Sequence, residues 1–159
     1  MKRALVLYHS LFGNTKKVAL TLAMGIQDAG VEVDCKSVND ADPAEVTSYD
    51  LIAIGGPTHM IRPSKEMKAF LDRLKPIELR DLFGFAFDTR NESRMNSRGL
   101  SVLENSAARS IEKLMKRKKM KIIKPRVSAI VQGREGPLDT GVEETFLQIG
   151  QEIGNLLMD

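Results

Sequence analysis

The chain has 159 residues, 42% apolar and 28% charged, with a net charge of +3, a composition that suits one globular domain with a core large enough to stand without cross-links. A single cysteine, Cys35, excludes an intrachain disulfide and a cysteine-based metal cluster, and two histidines, His9 and His59, are too few for a histidine-rich metal site. No apolar run approaches the roughly 18 residues of a membrane span, and the apolar part of "MKRALVLYHS" is too short for a signal peptide, so a cytoplasmic protein is expected.

The first element is "RALVLY" (3 to 8), a continuous apolar run of the kind that forms a strand buried on both faces. Val18, Leu22 and Ile26, with Ala19 and Ala23, then mark one face of a helix from about Thr15 to Ala29, stopped by Gly30. "VEVDCKSV" (31 to 38) reads as a more polar second strand at the sheet edge, which makes Cys35 a packed or half-exposed strand thiol. Pro43 opens a short helix, and "DLIAIGG" (50 to 56) is another buried strand. Ser64 has the character of a helix cap, with Met67, Phe70, Leu71 and Leu74 on the inner face that follows. "FGFAFD" (83 to 88) is the fourth strand, and Leu103, Ala107, Ile111 and Leu114 recur at helical spacing. "KIIKPRVSAIV" (121 to 131) holds the fifth strand, and Val142, Phe146, Ile149, Ile153 and Leu156 line a last helix.

Strand and helix alternate five times, which predicts a doubly wound α/β fold, a parallel sheet with helices on both faces, because each parallel connection needs a crossover. Residues 1 to 159 form one domain in this reading. Ligands in such sheets sit beyond the carboxyl ends of the strands, so the loops to inspect are 9 to 14, 56 to 63, 89 to 99 and 132 to 138.

In "HSLFGNT" the strand runs straight into a turn and a helix. A helix N-terminus presents unpaired backbone N–H groups and partial positive charge, so an anion is welcome there. Gly13 permits the tight turn, Ser10 and Thr15 offer hydroxyls, and Asn14 offers an amide. No Walker lysine follows, and the spacing is not that of the dinucleotide fingerprint. A capping turn alone explains the same residues. The second loop, "IGGPTHMIRPS", leaves its strand through two glycines and a proline and displays Thr58, His59 and Met60. The third opens with Asp88, Thr89 and Arg90. Three polar loops from neighbouring strands then converge on one end of the sheet.

On these residues the chain resembles a flavodoxin of the short-chain, archaeal type, over essentially its whole length. "SLFGNT" matches the phosphate loop, "GGPTHM" the first flavin loop, "FDTR" the second, and "GREGPL" the segment before the last helix. The resemblance implies a five-stranded sheet in the order 2-1-3-4-5 and FMN as cofactor. It implies that Ser10, Asn14 and Thr15 bind the FMN phosphate, with backbone N–H groups of Leu11, Phe12 and Gly13. Pro57, Thr58, His59 and Met60 would border the flavin ring on one side, and Asp88, Thr89 and Arg90 on the other. The best-known members sandwich the ring between a Trp and a Tyr. Here there is no Trp, and Tyr8 and Tyr49 fall outside the flavin loops, so His59, Met60 or Ile61 must flank the ring.

The resemblance implies an electron carrier between redox proteins, or alternatively an FMN-dependent oxidoreductase acting on a quinone, flavin or protoporphyrinogen. A phosphoacceptor receiver module on the same fold is excluded, because the first strand ends "YHS" without the acidic residues that would hold a metal. Near the flavin loops stand Arg62, Lys65, Arg90, Arg94 and Arg98 against Glu66, Asp88 and Glu92, which favours an acidic partner such as a ferredoxin or a reductase. A separate basic stretch, residues 113 to 126, holds eight Lys and Arg and no acid, while the remainder of the chain is net −5. It is either a solvated helix end or a surface for an acidic partner. No aromatic residue interleaves its charges, which argues against nucleic acid.

Overall fold

Three apolar runs form the middle of a parallel sheet in the computed structural model, which describes residues 1–59, 62–91 and 106–159. In chain order these residues form β1 (Arg3–Tyr8), α1 (Asn14–Asp28), β2 (Glu32–Ser37) and two short 3-10 turns (Val38–Asp40 and Pro43–Ser48). Then come β3 (Leu51–His59), β4 (Arg62–Pro63), α2 (Lys65–Leu74), β5 (Phe83–Asn91) and α3 (Ala107–Arg117), followed by β6 (Lys121–Ile122), β7 (Val127–Val131) and α4 (Val142–Met158). The sheet order is β2-β1-β3-β5-β6, with β7 also on β5 and β4 antiparallel to the end of β3. Apart from that two-residue β4 and a single antiparallel bridge from Val131 to Leu138, the strand pairings among the described residues are parallel.

Because successive side chains on a strand point to opposite faces, each buried strand feeds two cores. Ala4, Val6, Leu51, Ala53, Phe85 and Phe87 meet Val18, Leu22 and Ile26 of α1 and Phe146, Ile149 and Ile153 of α4. Leu5, Leu7, Ile52, Ile54 and Ala86 meet Met67, Phe70 and Leu74 of α2 and Ile111, Leu114 and Met115 of α3. Phe87 packs edge-on to Phe146 with ring centroids 6.1 Å apart. Each such fully buried large side chain contributes about 1.5–3 kcal/mol, and the two continuous cores are what hold the strand ends in fixed relation. Cys35 is half-buried against the α1 side, and burial pushes its thiol up to about 11, against a smaller opposing effect of Lys16. It is a packed thiol.

Two features refine the sequence expectation. The fifth strand is broken: β6 and β7 each pair with β5, separated by residues 123–126. Pro125 has no N–H for the ladder, and the N–H of Arg126 turns to Glu112 Oε2 at 2.9 Å. The fourth strand extends beyond Asp88 to Asn91, so Thr89 and Arg90 belong to the strand.

The basic stretch is largely structural. Glu112 is 4% exposed and is gripped by Arg126 Nη1 at 2.9 Å and Lys116 Nζ at 3.2 Å. Burial pushes the Glu112 carboxyl up, but the N–H of Arg126 and the two cationic side chains outweigh it and hold it below its ordinary 4.5. Lys118 Nζ donates to the carbonyl of Lys75, Lys124 pairs with Glu152, and Lys121 lies over the Phe83 ring. Four of the eight basic residues thus tie α3 and the broken strand to their neighbours, and Lys116 pairs within α3. The end of α3 closes with N–H bonds from Lys119 to the Lys116 carbonyl and from Met120 to the Met115 carbonyl, placing Lys119 in the left-handed region at φ +61°.

Candidate functional site

The described parts of the loops singled out from the sequence emerge at the carboxyl end of the parallel sheet. In the first, residues 9–13 carry the chain from β1 into α1. Gly13 stands at the N-cap with φ +92°, a conformation open to glycine at no steric cost, and a Cβ there would meet nothing within 4 Å. Its N–H donates to Ser10 Oγ at 3.0 Å, which closes the turn. The first intrahelical bond runs from Lys17 N–H to the Gly13 carbonyl, so the N–H groups of Asn14, Thr15 and Lys16 precede it. Among the described residues no side chain caps this terminus, and no acidic residue stands in its first turn. The result is a helix end whose partial positive charge is not neutralised locally. Leu11 and Phe12 are about half exposed on the outside of the turn.

Thr15, the second residue of α1, is buried beside the turn. Its hydroxyl is buried and lies 2.8 Å from the hydroxyl of Thr89 on β5. When Thr89 donates, the Thr15 proton remains available to an anion at the helix end. Asn14 packs against Gly136, where a Cβ would lie 2.7 Å from the Asn14 side-chain oxygen. The fourth loop reaches this position by doubling back: Gln132 N–H donates to the Pro137 carbonyl and Asp139 N–H to the Ile130 carbonyl. Arg134 extends from it over the Phe12 ring, 5.9 Å from the centroid. Loops one and four therefore form a single wall.

At the ends of β3 and β5 the register sets Gly56 beside Asp88 and Pro57 beside Thr89. The pleat then sends Asp88 and Thr89 to opposite faces. Asp88 is fully buried and its Oδ2 accepts from Thr58 Oγ1 at 2.7 Å and from the N–H of Ala108 at 3.1 Å. Thr58 Oγ1 in turn accepts from the N–H of Ala107 at 3.0 Å. These two side chains moor the N-terminus of α3, while Asp88 Oδ1 is buried without a hydrogen-bond partner among the described residues. Ser106 caps the same helix by accepting from Arg109 N–H. Arg90 is 6% exposed, so it adds no charge to an exposed rim.

Of the residues singled out from the sequence, Ser10, Gly13, Asn14, Thr15 and Thr89 come together at the α1 end. Thr58 and Asp88 come together at the α3 end, and Pro57 is in register with Thr89. His59 pairs through its backbone with Arg62 of β4. Met60, Ile61, Glu92, Arg94 and Arg98 lie outside the described residues. Tyr49 is remote from the site, at the start of β3: its hydroxyl donates to Asp34 at 2.6 Å and Arg3 covers its ring. Burial and that hydrogen bond push it up to about 12. The sequence assigned His9 no role and read Ser64 only as a helix cap; in the structure the two side chains bond beside the site. The available signal was a histidine closing a buried strand one residue before the turn.

Residues 6–148 match the model of one protein family, described as Flavodoxin. Among curated proteins the chain is similar to the flavodoxin of Aquifex aeolicus, 40% identical over 85 residues, 53% of this chain and 44% of the relative. It is also similar to an NAD(P)H dehydrogenase (quinone) of Archaeoglobus fulgidus, 33% identical over 97 residues, 45% of this chain and 51% of the relative. The chain spans about half the length of the curated relatives it matches. Among solved structures, a flavodoxin from the domain Archaea superposes with a TM-score of 0.78 at 21% identity, covering 99% of each chain, a likeness of fold.

Proposed function

We propose an FMN-binding electron carrier, proceeding from the premise that this chain belongs to the flavodoxin family. Flavodoxin-family proteins bind FMN and pass electrons to redox partner proteins. The observation that supports the reading best is the start of α1, a helix end with no acidic side chain and no side-chain cap, entered through Gly13 at φ +92°. That end suits a dianionic phosphate, and the residues present fit the group. Ser10, Asn14 and Thr15, with the N–H groups of residues 11 to 15, would hold the phosphate. Pro57, Thr58, His59 and Met60 would border the ring on one side and the Thr89–Arg90 backbone on the other, with Asp88 acting through Thr58 and α3. FMN, when bound, would supply the electron-accepting and electron-donating ring, and these residues would position it.

In this reading residues 1–159 act as one FMN domain in the cytoplasm, exchanging electrons with redox proteins. Arg62 and Lys65, exposed beside the second loop, favour an acidic partner such as a ferredoxin or a reductase. The test is titration of the apoprotein with FMN and with riboflavin. The reading expects FMN to bind more tightly, and equal affinity for the two overturns the phosphate cradle. An enzyme is the second reading, favoured by the likeness to a quinone dehydrogenase. Steady-state oxidation of NAD(P)H by the FMN-loaded chain with a quinone would establish it in place of the carrier.

A further inference from the structure

His9 is the last residue before Ser10 and is buried, 5% exposed. Its backbone N–H donates to the carbonyl of Gly55 at 3.1 Å, so the main chain leaving β1 stays paired with β3 to the edge of the site. Its Nδ1 lies 2.7 Å from Ser64 Oγ. Ser64 is the N-cap of α2 and accepts from Met67 N–H at 3.2 Å, which leaves its one proton to donate to Nδ1. Nε2 lies 3.7 Å from Glu66 Oε2, in the first turn of the same helix. Both ring nitrogens therefore address α2, while the main chain of His9 leads directly into the turn at Ser10. Ser64 itself follows β4, whose Pro63 and Arg62 pair with Thr58 and His59.

Resting on the proposed function above, we infer that His9 is a positioning residue that couples the two halves of the cofactor site. The path is short: the main chain joins the Ser10 turn to His9, the His9 ring bonds the Ser64 hydroxyl, Ser64 continues from Pro63 of β4, and β4 pairs with Thr58 and His59 of β3. The Ser10 turn is closed by the Gly13 N–H and the His9 main chain is held by Gly55, so an anion bound at the turn stiffens a frame already built, and the His9–Ser64 bond ties that frame to the loop that would border the ring. Binding at one half then makes binding at the other half more favourable, which is a coupling free energy between two subsites and is reciprocal. A histidine that only filled space would stabilise the fold without producing this coupling.

The experiment splits FMN into its parts. Riboflavin affinity of the apoprotein is measured by fluorescence quenching without and with saturating inorganic phosphate. The unaltered chain is expected to bind riboflavin about 5-fold or more tightly when phosphate is present, the lower range of a typical intersite coupling. His9→Ala should reduce this factor to near 1. His9→Asn, whose amide reaches the position of Nδ1, should restore most of it, and His9→Gln, whose amide reaches toward Nε2, should not. Urea unfolding of each apoprotein identifies any variant that fails to fold, and the Asn and Gln variants then carry the comparison. Coupling that persists in folded His9→Ala, or equal behaviour of Asn and Gln, overturns the role of His9 while leaving FMN binding intact. Failure of the unaltered chain to bind either flavin overturns the functional reading, and the coupling with it.

Discussion

Thr15→Val separates the structural role of the Thr15 hydroxyl from its role in binding. The hydroxyls of Thr15 and Thr89 lie 2.8 Å apart, in residues only 2% and 5% exposed. Valine replaces one hydroxyl with a methyl of nearly the same size and leaves the Thr89 hydroxyl buried without this partner. Such a loss costs about 1–3 kcal/mol, which for a domain of this size lowers the apoprotein Tm by about 2–12 °C. In urea the midpoint should fall with the slope unchanged, because the surface exposed on unfolding is the same. Removing both hydroxyls in Thr15→Val/Thr89→Val should recover most of that stability, since no buried polar atom is then orphaned. FMN affinity should behave differently. A hydrogen bond to a charged phosphate contributes about 1.5–3 kcal/mol, so both variants should bind FMN about 10- to 150-fold more weakly. Riboflavin affinity should change little in the double variant. A single variant as stable as the parent refutes the buried-pair argument. A double variant with parental FMN affinity refutes the hydroxyl's part in the phosphate cradle.

Asp88→Ala deprives both the Thr58 hydroxyl and the Ala108 N–H of their acceptor and should cost about 2 kcal/mol or more; Asp88→Asn, which keeps an acceptor, should cost less, and urea unfolding that reverses this order refutes the mooring of α3. Lys119→Gly relieves an L side chain of φ +61° and should raise stability by about 1 kcal/mol, readable as a higher urea midpoint; an unchanged or lower midpoint counts against strain there. The Glu112 carboxyl is held below its ordinary 4.5 by Arg126 and Lys116, so its stabilising effect is full above that ordinary value and is lost as pH falls through the lower folded value. The parent should therefore lose stability more steeply than Glu112→Gln as pH drops from about 5 to about 3, and parallel pH profiles would show that the charge of Glu112 stabilises nothing.

The order of elements and the glycine-and-hydroxyl turn after β1 could be read from local signals, since burial period, caps and breakers act over a few residues. "RALVLY" and "DLIAIGG" announced the central strands, Ser64 announced the cap of α2, and Gly13 announced the left-handed entry to α1. Partnership at the strand ends could not be read that way. Thr15 and Thr89 are 74 residues apart, and His9 and Ser64 are 55 apart; each pair meets only because β1, β3 and β5 pack in one order and register. The pleat of β5 was legible in principle, since Phe85, Phe87 and Thr89 alternate with Ala86, Asp88 and Arg90, and it divides Asp88 from Thr89. What each face offered them depended on the helices covering it: α1 brought Thr15 to Thr89, while α3 and β3 took the carboxylate of Asp88. The burial of Arg90 and the pairing of Lys116 and Arg126 with Glu112 were likewise decided by packing. A charge in a sequence has no address until neighbouring elements either cover it or leave it in water.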